Sequence, residues 1–333
     1  MASHEQELRA ALDAVRGASR VCRAVQERLI TRDTLEKRDK SPVTVADFAS
    51  QAIVCRRLEQ SFPGDAVVGE EGSAELRSAE NAALLASVVG AVAAEAGAAS
   101  DAQRVLAWID RGGADASTAR YWTLDPIDGT KGFLRREQYA VALGLIEGGE
   151  VVVGVLGCPN LDDGTGGTGV LIAAVRGQGT RVFPLWRPGD DAGRAVRVSQ
   201  IASLAEARFC ESVEAEHSDQ SESAKIAAKL GIRLPPLRMD SQCKYGAVAR
   251  GDASIYLRMP TRADYREKIW DHAAGKLVVE EAGGAVTDVD GKPLDFRHGR
   301  SLAGNSGVVA TVGGVHERVI AAIREVRGAQ ARA

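Results

Sequence analysis

The sequence predicts a layered α/β protein, and three observations support this fold class. Apolar residues recur at helical spacing over residues 5–30. Residues 139–185 contain apolar runs separated by turn signals, as in a β-meander. After Gly193, strand-like and helix-like segments alternate, which is typical of an α/β arrangement. The chain has 333 residues, enough for one large domain or two domains of ordinary size.

The N-terminal half is predicted to begin with two helices. The first covers residues 5–30, and residues 33–38 are expected to form a short polar strand or loop. Ser41-Pro42 then breaks the chain, and a second helix begins near Thr44 and ends at Phe62. The next predicted elements are a buried strand at 65–69, an Ala-rich helix at 79–98, and strands at 104–110 and 121–124.

A β-hairpin is predicted at residues 139–156, because Glu147-Gly148-Gly149-Glu150 is a turn signal between two apolar runs. Strands at 171–175 and 180–185 continue it. The Pro- and Gly-containing segment 188–193 is the best internal boundary, giving predicted parts of 1–190 and 191–333. The second part is predicted to contain strands at 209–213, 237–239 and 254–257, and helices at 221–230, 241–250, 270–282 and 315–327.

Composition argues against several classes of protein. The net charge of −3 and a pI near 6.0 argue against a surface that binds a nucleic-acid polymer. The five cysteines are odd in number and widely spaced, which favours a reducing compartment over a disulfide framework. The sequence has no apolar run of about 18 residues and no signal-peptide pattern. We therefore expect a cytoplasmic protein without a transmembrane helix.

The segment DPIDGT at 125–130 is the strongest candidate for a metal-binding loop. A strand delivers Asp125, Pro126 is expected to end the strand ladder, and the following glycine permits a sharp bend. Asp125 and Asp128 can then turn inward from one loop, with the Ile127 carbonyl between them. These oxygen ligands suit Mg²⁺ better than zinc. Taken alone, the segment is better explained as an ordinary Asp/Pro/Gly turn.

Further acids stand at element boundaries elsewhere in the sequence. Glu70-Glu71 follows a short apolar strand, Asp271 opens an apolar helix, and Asp47 is near another helix start. Each has a simple structural explanation, such as helix capping by Asp271. Together with the 125–130 loop they supply the several carboxylates that two Mg²⁺ ions need. No His–Ser or Cys–His nucleophile pair is evident, so attack by water is the economical mechanism.

DPIDGT together with Gly69-Glu70-Glu71 and Trp270-Asp271 resembles the inositol monophosphatase superfamily of lithium-sensitive, Mg²⁺-dependent phosphatases. This resemblance implies a layered αβαβα sandwich of the sugar-phosphatase type, with the active site between the two parts. Longer motifs are similar to the bisphosphate nucleotidases within that family. Those motifs are at residues 40–47, 125–134, 157–161, 240–245 and 265–275.

The resemblance also implies roles for individual residues. It implies two or three Mg²⁺ ions held by Glu70, Asp125, the Ile127 carbonyl, Asp128 and Asp271. Asp47 and Thr130 would orient and deprotonate the attacking water, and Glu71 would be a weaker metal contact. Ser241 is expected at a helix N-terminus, where a phosphate is stabilised. The implied substrate-binding residues are Thr130, His217, Ser241, Lys244, Arg258 and Asp271.

The implied reaction is hydrolysis of the 3′-phosphate of adenosine 3′,5′-bisphosphate, and of its sulfated form, as in sulfate assimilation. Inositol polyphosphate 1-phosphatase or inositol monophosphatase activity stays open, as does an inactive protein that senses nucleotide or metal. We expect a monomer with a small nucleotide as substrate, and neither a nucleic-acid polymer nor a membrane as partner. Segments 96–120 and 162–179 match no motif of the family.

Overall fold

Two β-sheets, one of seven strands and one of five, organise the described part of the chain. The computed structural model describes residues 4–29, 41–97, 100–187, 189, 192–213, 220–260, 262 and 265–330. The polar segment predicted at 33–38 lies outside these residues. The helices are α1 (Glu5–Leu29), α2 (Ser41–Ser61), α3 (Ala82–Ala96), α4 (Ala102–Asp110), α5 (Thr130–Arg135), α6 (Gln220–Leu230), α7 (Cys243–Arg250), α8 (Ala273–Glu281) and α9 (His316–Gln330).

The strands of the larger sheet are β1 (Ala66–Gly69), β2 (Arg120–Asp128), β3 (Ala140–Glu147), β4 (Glu150–Asp162), β5 (Thr168–Val175), β6 (Gly179–Pro184) and β7 (Arg194–Val196). They follow one another in chain order across the sheet. The β1–β2 pair is parallel, and the other neighbours are antiparallel. Glu147 pairs with Glu150, which confirms the predicted hairpin. The boundary predicted near residue 190 stays a prediction, although β7 still pairs with β6.

The smaller sheet has the strand order β11-β12-β10-β8-β9. Its strands are β8 (Phe209–Glu211), β9 (Leu237–Arg238), β10 (Ile255–Arg258), β11 (Ala285–Thr287) and β12 (Val308–Thr311). The β8–β9 and β8–β10 pairs are parallel, and β12 pairs antiparallel with both β10 and β11. All four residues of β12 are buried, so both faces of this sheet are covered.

Successive residues of the central strands point to opposite faces of the larger sheet. On β3, Val141 and Leu143 join the hydrophobic cluster formed with α1 and α2. Ala142 and Ile146 join a second cluster, which contains α7, α8 and the smaller sheet. Helices α6 and α9 pack against each other and add buried residues such as Ile320 to that second cluster. This arrangement confirms the predicted layered αβαβα sandwich.

Helix α8 packs closely against the larger sheet and against α7 because glycines lie at both contacts. A Cβ on Gly154 of β4 would lie 2.8 Å from the carbonyl oxygen of Ala274. A Cβ on Gly275 would lie 2.2 Å from the ring of Tyr245. The depth of α8 in the core therefore depends on these glycines, and so does the position of Asp271, which lies two residues before the helix.

The strand predicted at residues 104–110 is wrong, because this segment forms helix α4. Asp101 caps the helix: its side chain accepts a hydrogen bond of 2.8 Å from the backbone N–H of Arg104. The buried side chains have the one-sided spacing of an amphipathic helix rather than the alternation of a strand. They are Val105, Leu106, Trp108 and Ile109.

Three predicted boundaries also differ from the structure. Helix α2 begins at Ser41, because the first turn of a helix accepts a proline. Strand β2 continues through Pro126 to Asp128, with a register irregularity after Asp125 that accommodates the proline. Helix α7 begins at Cys243, two residues after the predicted start at Ser241.

One segment of the described residues is long and apolar enough to cross a membrane by length and composition alone. It is Ala79–Ala96, which contains α3 and has a mean hydropathy of 1.3, with 17 % of the segment buried. Val88, Ala91 and Val92 are its buried residues, and α3 packs on α1 and α2. The expected absence of a membrane partner stays a prediction.

We expect Gly154→Ala to lower the free energy of unfolding by about 1–3 kcal/mol, because the added methyl group must push α8 away from β4. Urea denaturation followed by circular dichroism measures this change. Gly72→Ala is the matched control, since a Cβ at Gly72 meets no atom within 4 Å. The control should change stability by less than about 0.5 kcal/mol. Equal stability of the two variants would contradict the proposed close approach.

Candidate metal centre

A cavity of about 420 Å³ brings together residues from both halves of the sequence. Asp47 is not part of its wall, and His217 lies outside the described residues. The predicted site residues that line the cavity are Glu70, Asp125, Ile127, Asp128, Thr130, Ser241, Lys244, Arg258 and Asp271.

The parallel pairing of β1 and β2 brings two of these acids to one edge of the larger sheet. Gly69 pairs with Leu124, so the next residue on each strand is an acid. These residues are Glu70 and Asp125, and the charge of Glu70 raises the pKa of Asp125, after the larger effect of burial. Because the carboxyl ends of parallel strands meet at the same edge, the two carboxylates lie side by side.

Asp128 connects the end of β2 to the start of α7. Its Oδ2 accepts a hydrogen bond of 2.5 Å from the backbone N–H of Gln242. Gly129 has a φ of 89°, and a Cβ there would lie 2.8 Å from the Cβ of Ser241. Ser241 itself has a φ of 68°, a left-handed conformation that costs energy for a residue other than glycine. The close approach of the two loops therefore depends on unusual backbone at both residues.

The acids of the cavity repel one another in a poorly solvated place. Asp125 is 2 % exposed, and its Oδ1 has no hydrogen-bond partner. Burial, followed by repulsion from Glu70 and Asp128, raises the pKa of Asp125 well above its usual range. Burial, with repulsion from Glu71 and Asp128, raises the pKa of Glu70 to about 7. A hard divalent cation would relieve this repulsion and occupy the unpartnered oxygen, so the residues fit Mg²⁺.

Asp47 and Thr130 stand at different places relative to this cavity. Thr130 is the first residue of α5, and it is exposed on the cavity wall. Desolvation and repulsion from Glu71 and Glu70 raise the pKa of Asp47 well above its usual range. The charge of Asp47 also raises the pKa of Asp125. Asp47 therefore lies close enough to the acids for its charge to act on them.

Two polar residues of α2 hydrogen-bond to the backbone of the segments that carry the acids, and neither had a predicted role. Gln51 Nε2 donates to the carbonyl oxygens of Glu71 at 2.7 Å and Ile109 at 2.9 Å. Its Oε1 accepts from the backbone N–H of Glu71 at 3.1 Å. Ser50 Oγ donates to the carbonyl oxygen of Pro126 at 2.8 Å. The adjacent pair Ser50-Gln51 within an apolar stretch of helix was the available signal.

Arg300 and Gln242 connect the remaining segments, and neither had a predicted role. Arg300 Nη2 donates to the carbonyl oxygen of Gly69 at 2.5 Å, and its guanidinium lies 4.7 Å from the centroid of the Trp270 ring. Gln242 Nε2 donates to the carbonyl oxygen of Trp270 at 2.9 Å, and its Oε1 accepts from Gly275 N–H at 3.2 Å. The segments that carry Glu70, Asp128 and Asp271 are thereby joined.

Three cationic residues line the cavity with the acids: Lys131, Lys244 and Arg258. Lys244 is 3 % exposed, and its Nζ lies 5.2 Å from the centroid of the Tyr256 ring. Burial lowers the pKa of Lys244, and the charge of Asp128 opposes this shift. Arg258 Nε lies 2.7 Å from Glu267 Oε2, and Nη2 lies 3.9 Å from Asp271 Oδ2. Acids and cations in one cavity suit an anionic ligand that also contacts a metal.

Another group of possible metal ligands, within the described residues, consists of Glu267, Asp271 and His272, whose ligand atoms lie within 4.8 Å of one another. Glu267 is already an ion-pair partner of Arg258, and His272 Nε2 lies 3.1 Å from Glu267 Oε2. Although burial opposes ionisation, the hydrogen bond from His272 and the charge of Arg258 lower the pKa of Glu267 to about 2. Of this group, only Asp271 lines the cavity.

The chain matches the family model described as "Inositol monophosphatase family" over residues 3–327. It is 44 % identical to a 3′(2′),5′-bisphosphate nucleotidase of Emericella nidulans over 322 residues, covering 89 % of this chain and 91 % of the relative. It is also 44 % identical to the Schizosaccharomyces pombe protein of the same name over 343 residues, covering 97 % and 96 % of the two chains.

The fold is similar to that of an inositol monophosphatase from Zymomonas mobilis, with a TM-score of 0.65. The two chains are 20 % identical, and the match covers 97 % of this chain and 100 % of the other. At this identity the likeness bears on the fold alone.

We expect Gln51→Leu to lower the free energy of unfolding by about 2–3 kcal/mol, because the carbonyl oxygens of Glu71 and Ile109 lose their donor. Leucine is similar in size to glutamine, so a cavity contributes little. Gln60→Leu, at an exposed position of the same helix, is the control and should cost less than about 0.5 kcal/mol. Urea unfolding of both variants measures the difference. Similar midpoints would show that Gln51 does not hold the Glu70–Glu71 segment.

Proposed function

Because the chain belongs to the inositol monophosphatase family, we propose that it is a Mg²⁺-dependent phosphomonoesterase that hydrolyses the 3′-phosphate of adenosine 3′,5′-bisphosphate. The products are AMP and phosphate, and the sulfated form of the nucleotide is a further substrate. One observation supports this proposal above the others: a single cavity holds the acids suited to Mg²⁺ and the cations suited to a second phosphate. The relatives at 44 % identity, which are bisphosphate nucleotidases by name, support the same substrate.

The metal ligands in this proposal are carboxylates and one backbone carbonyl. They are Glu70, Asp125, the Ile127 carbonyl, Asp128 and Asp271, which line the same cavity. The unpartnered Oδ1 of Asp125 supports this assignment. Two or three Mg²⁺ ions, when bound, would polarise the phosphoryl group and lower the pKa of the attacking water.

The chain's own residues orient the water and move its proton. Thr130, on the cavity wall, hydrogen-bonds the water and passes its proton towards Asp47. The raised pKa of Asp47 suits a group that accepts a proton. Glu71 is held by Gln51 behind this arrangement and is a weaker metal contact. No side-chain nucleophile is needed for this reaction.

The substrate is held at its other phosphate and at its base. Lys244 and Arg258 contact the 5′-phosphate, because both are cations on the cavity wall. Ser241 contributes its strained backbone and hydroxyl close to the start of α7. His217 is proposed from the resemblance alone, as a contact of the nucleotide. This division of roles places the 3′-phosphate at Asp271 and the metals.

Compartment and assembly complete the proposal. The five cysteines are buried free thiols, as expected of a protein in a reducing compartment. We propose a cytoplasmic monomer that acts on a small nucleotide.

Phosphate release should be faster from adenosine 3′,5′-bisphosphate than from inositol 1,4-bisphosphate at equal concentration in Mg²⁺. We expect a difference of at least about tenfold, because only the nucleotide places a second phosphate at Lys244 and Arg258. Initial rates from a phosphate assay decide between the substrates, and chromatography identifies AMP as the product. Faster turnover of the inositol phosphate would make the protein an inositol-phosphate phosphatase instead. Binding of the nucleotide without phosphate release would indicate an inactive sensor.

Asp128→Asn should lower kcat at least about 100-fold, because a neutral amide is a much weaker ligand of Mg²⁺ than a carboxylate. Its fold should persist, since asparagine can still accept the hydrogen bond from Gln242. Asp101→Asn is the control, because asparagine caps a helix as well as aspartate does. Steady-state rates and the rise in melting temperature with Mg²⁺ measure the effect.

Retained turnover of Asp128→Asn at ordinary Mg²⁺ would contradict the ligand assignment.

In the wild-type protein, Li⁺ should inhibit, because a small monovalent ion can occupy a Mg²⁺ position without its full charge. Full activity in roughly tens of millimolar Li⁺ would count against lithium sensitivity.

A further inference from the structure

Arg258 stands between two carboxylates, and only one of them is a proposed metal ligand. Its Nε contacts Glu267 Oε2 at 2.7 Å, whereas its Nη2 is 3.9 Å from Asp271 Oδ2. Asp271 lines the cavity, and Glu267 is 4 % exposed. The guanidinium therefore makes a close ion pair with the buried Glu267 and a longer one with Asp271, which lines the cavity.

Buried residues of the core hold the Glu267 carboxylate in position. Its Oε2 lies 3.1 Å from Nε2 of His272, a fully buried residue. His272 Nδ1 lies 2.7 Å from the hydroxyl of Tyr245, which is also buried. A chain of hydrogen bonds thus runs from the core to Arg258. This chain holds the Glu267 carboxylate at one distance from the guanidinium.

Two phenol groups of the described residues also contact Arg258. The hydroxyl groups of Tyr256 and Tyr265 hydrogen-bond to its side chain. Neither can replace a carboxylate as counter-charge, because burial raises the pKa of both phenols. If Glu267 lost its charge, Asp271 would be the nearest remaining ion-pair partner of the guanidinium among the described residues, 3.9 Å away at present. A guanidinium that paired tightly with Asp271 would use the oxygens that a metal needs.

We propose that Glu267 is a positioning residue that holds Arg258 away from Asp271. Asp271 then keeps its carboxylate for the metal, and Arg258 keeps N–H groups free to face an anionic substrate. This inference rests on the proposed function for the identity of the metal and of the substrate. It explains why a further acid, Glu267, stands beside the four proposed acidic ligands without taking part in metal binding.

A positioning role and a purely structural role predict different results when two changes are combined. If Glu267 restrains Arg258, removing its charge releases the guanidinium onto Asp271 and weakens the metal site. Removing Arg258 as well should then restore the metal site, because the competitor for Asp271 is gone. If Glu267 only stabilises the fold, the second change removes a further buried group and restores nothing.

The test measures binding of Mg²⁺ alone to the full-length protein by isothermal titration calorimetry, without substrate. We expect Glu267→Gln to weaken Mg²⁺ binding about tenfold, which corresponds to about 1.4 kcal/mol. Glu267→Gln combined with Arg258→Met should recover most of this loss, and Arg258→Met alone should bind Mg²⁺ no more weakly than the wild type. Circular dichroism melting of each variant checks the fold.

Glu280→Gln is the matched control for this experiment. Glu280 makes a similar ion pair, at 2.6 Å to Lys276 on α8, and neither residue lines the cavity. The control should leave Mg²⁺ affinity unchanged. Should Glu267→Gln fail to fold, Glu267→Asp retains the charge but withdraws it by one methylene group, and we expect an intermediate loss that Arg258→Met again reverses.

Two results would overturn the inference: unchanged Mg²⁺ affinity of the Glu267 variants, or a loss that Arg258→Met does not reverse. Failure of the proposed function looks different. In that case the wild type binds Mg²⁺, and the variants follow the expected pattern, but no phosphate is released from adenosine 3′,5′-bisphosphate. The calorimetry and the rate assay therefore test the two proposals separately.

Discussion

The parallel register of β1 and β2 is the constraint on which the rest of the site depends. With Gly69 opposite Leu124, the first residues beyond the paired positions are both acids. Their carboxylates share a poorly solvated edge, and their repulsion must be balanced by something other than water. A proton or a bound cation relieves such repulsion, and a cation can bind between the carboxylates only where the backbone holds them at suitable distances.

Polar side chains hold the backbone around the cavity in place, because they hydrogen-bond to its N–H and carbonyl groups. Gln51 holds the segment after β1, and Arg300 holds the end of that strand from the second half of the chain. Gln242 joins the Asp128 loop to the segment before α8. Each residue offers several hydrogen-bonding groups to one neighbourhood, so the acids are fixed through the chain on which they stand. Neither half of the sequence forms the site alone.

Much of this architecture could be predicted from local sequence pattern. The long helix at the N-terminus, the hairpin and the alternation after Gly193 have clear periodicity, and the layered fold is confirmed. Helix α4 was mistaken for a strand because a short apolar run fits both periods, and its cap at Asp101 was overlooked. Strand β2 passes through Pro126 because its register with β3 shifts between Asp125 and Asp128, so the strand pair does not need a backbone N–H from the proline. Such accommodation depends on the neighbouring strand, so local pattern did not predict it.

The sequence predicted several acids that the structure brings to one cavity, but it did not predict the residues that hold them in place. Asp125, Asp128 and Asp271 stand in recognisable motifs, and all three line the cavity. Glu267 falls inside a matched motif as well, yet the motif does not say what it touches. Its contact with Arg258 joins β10 to the loop before α8, and only the packing of those elements brings the two together. A charged residue beside a metal site therefore has two possible roles, ligand or restraint on a rival cation, and spacing in the sequence does not distinguish them. Distances of 2.7 Å and 3.9 Å from one guanidinium to two carboxylates support the second role for Glu267.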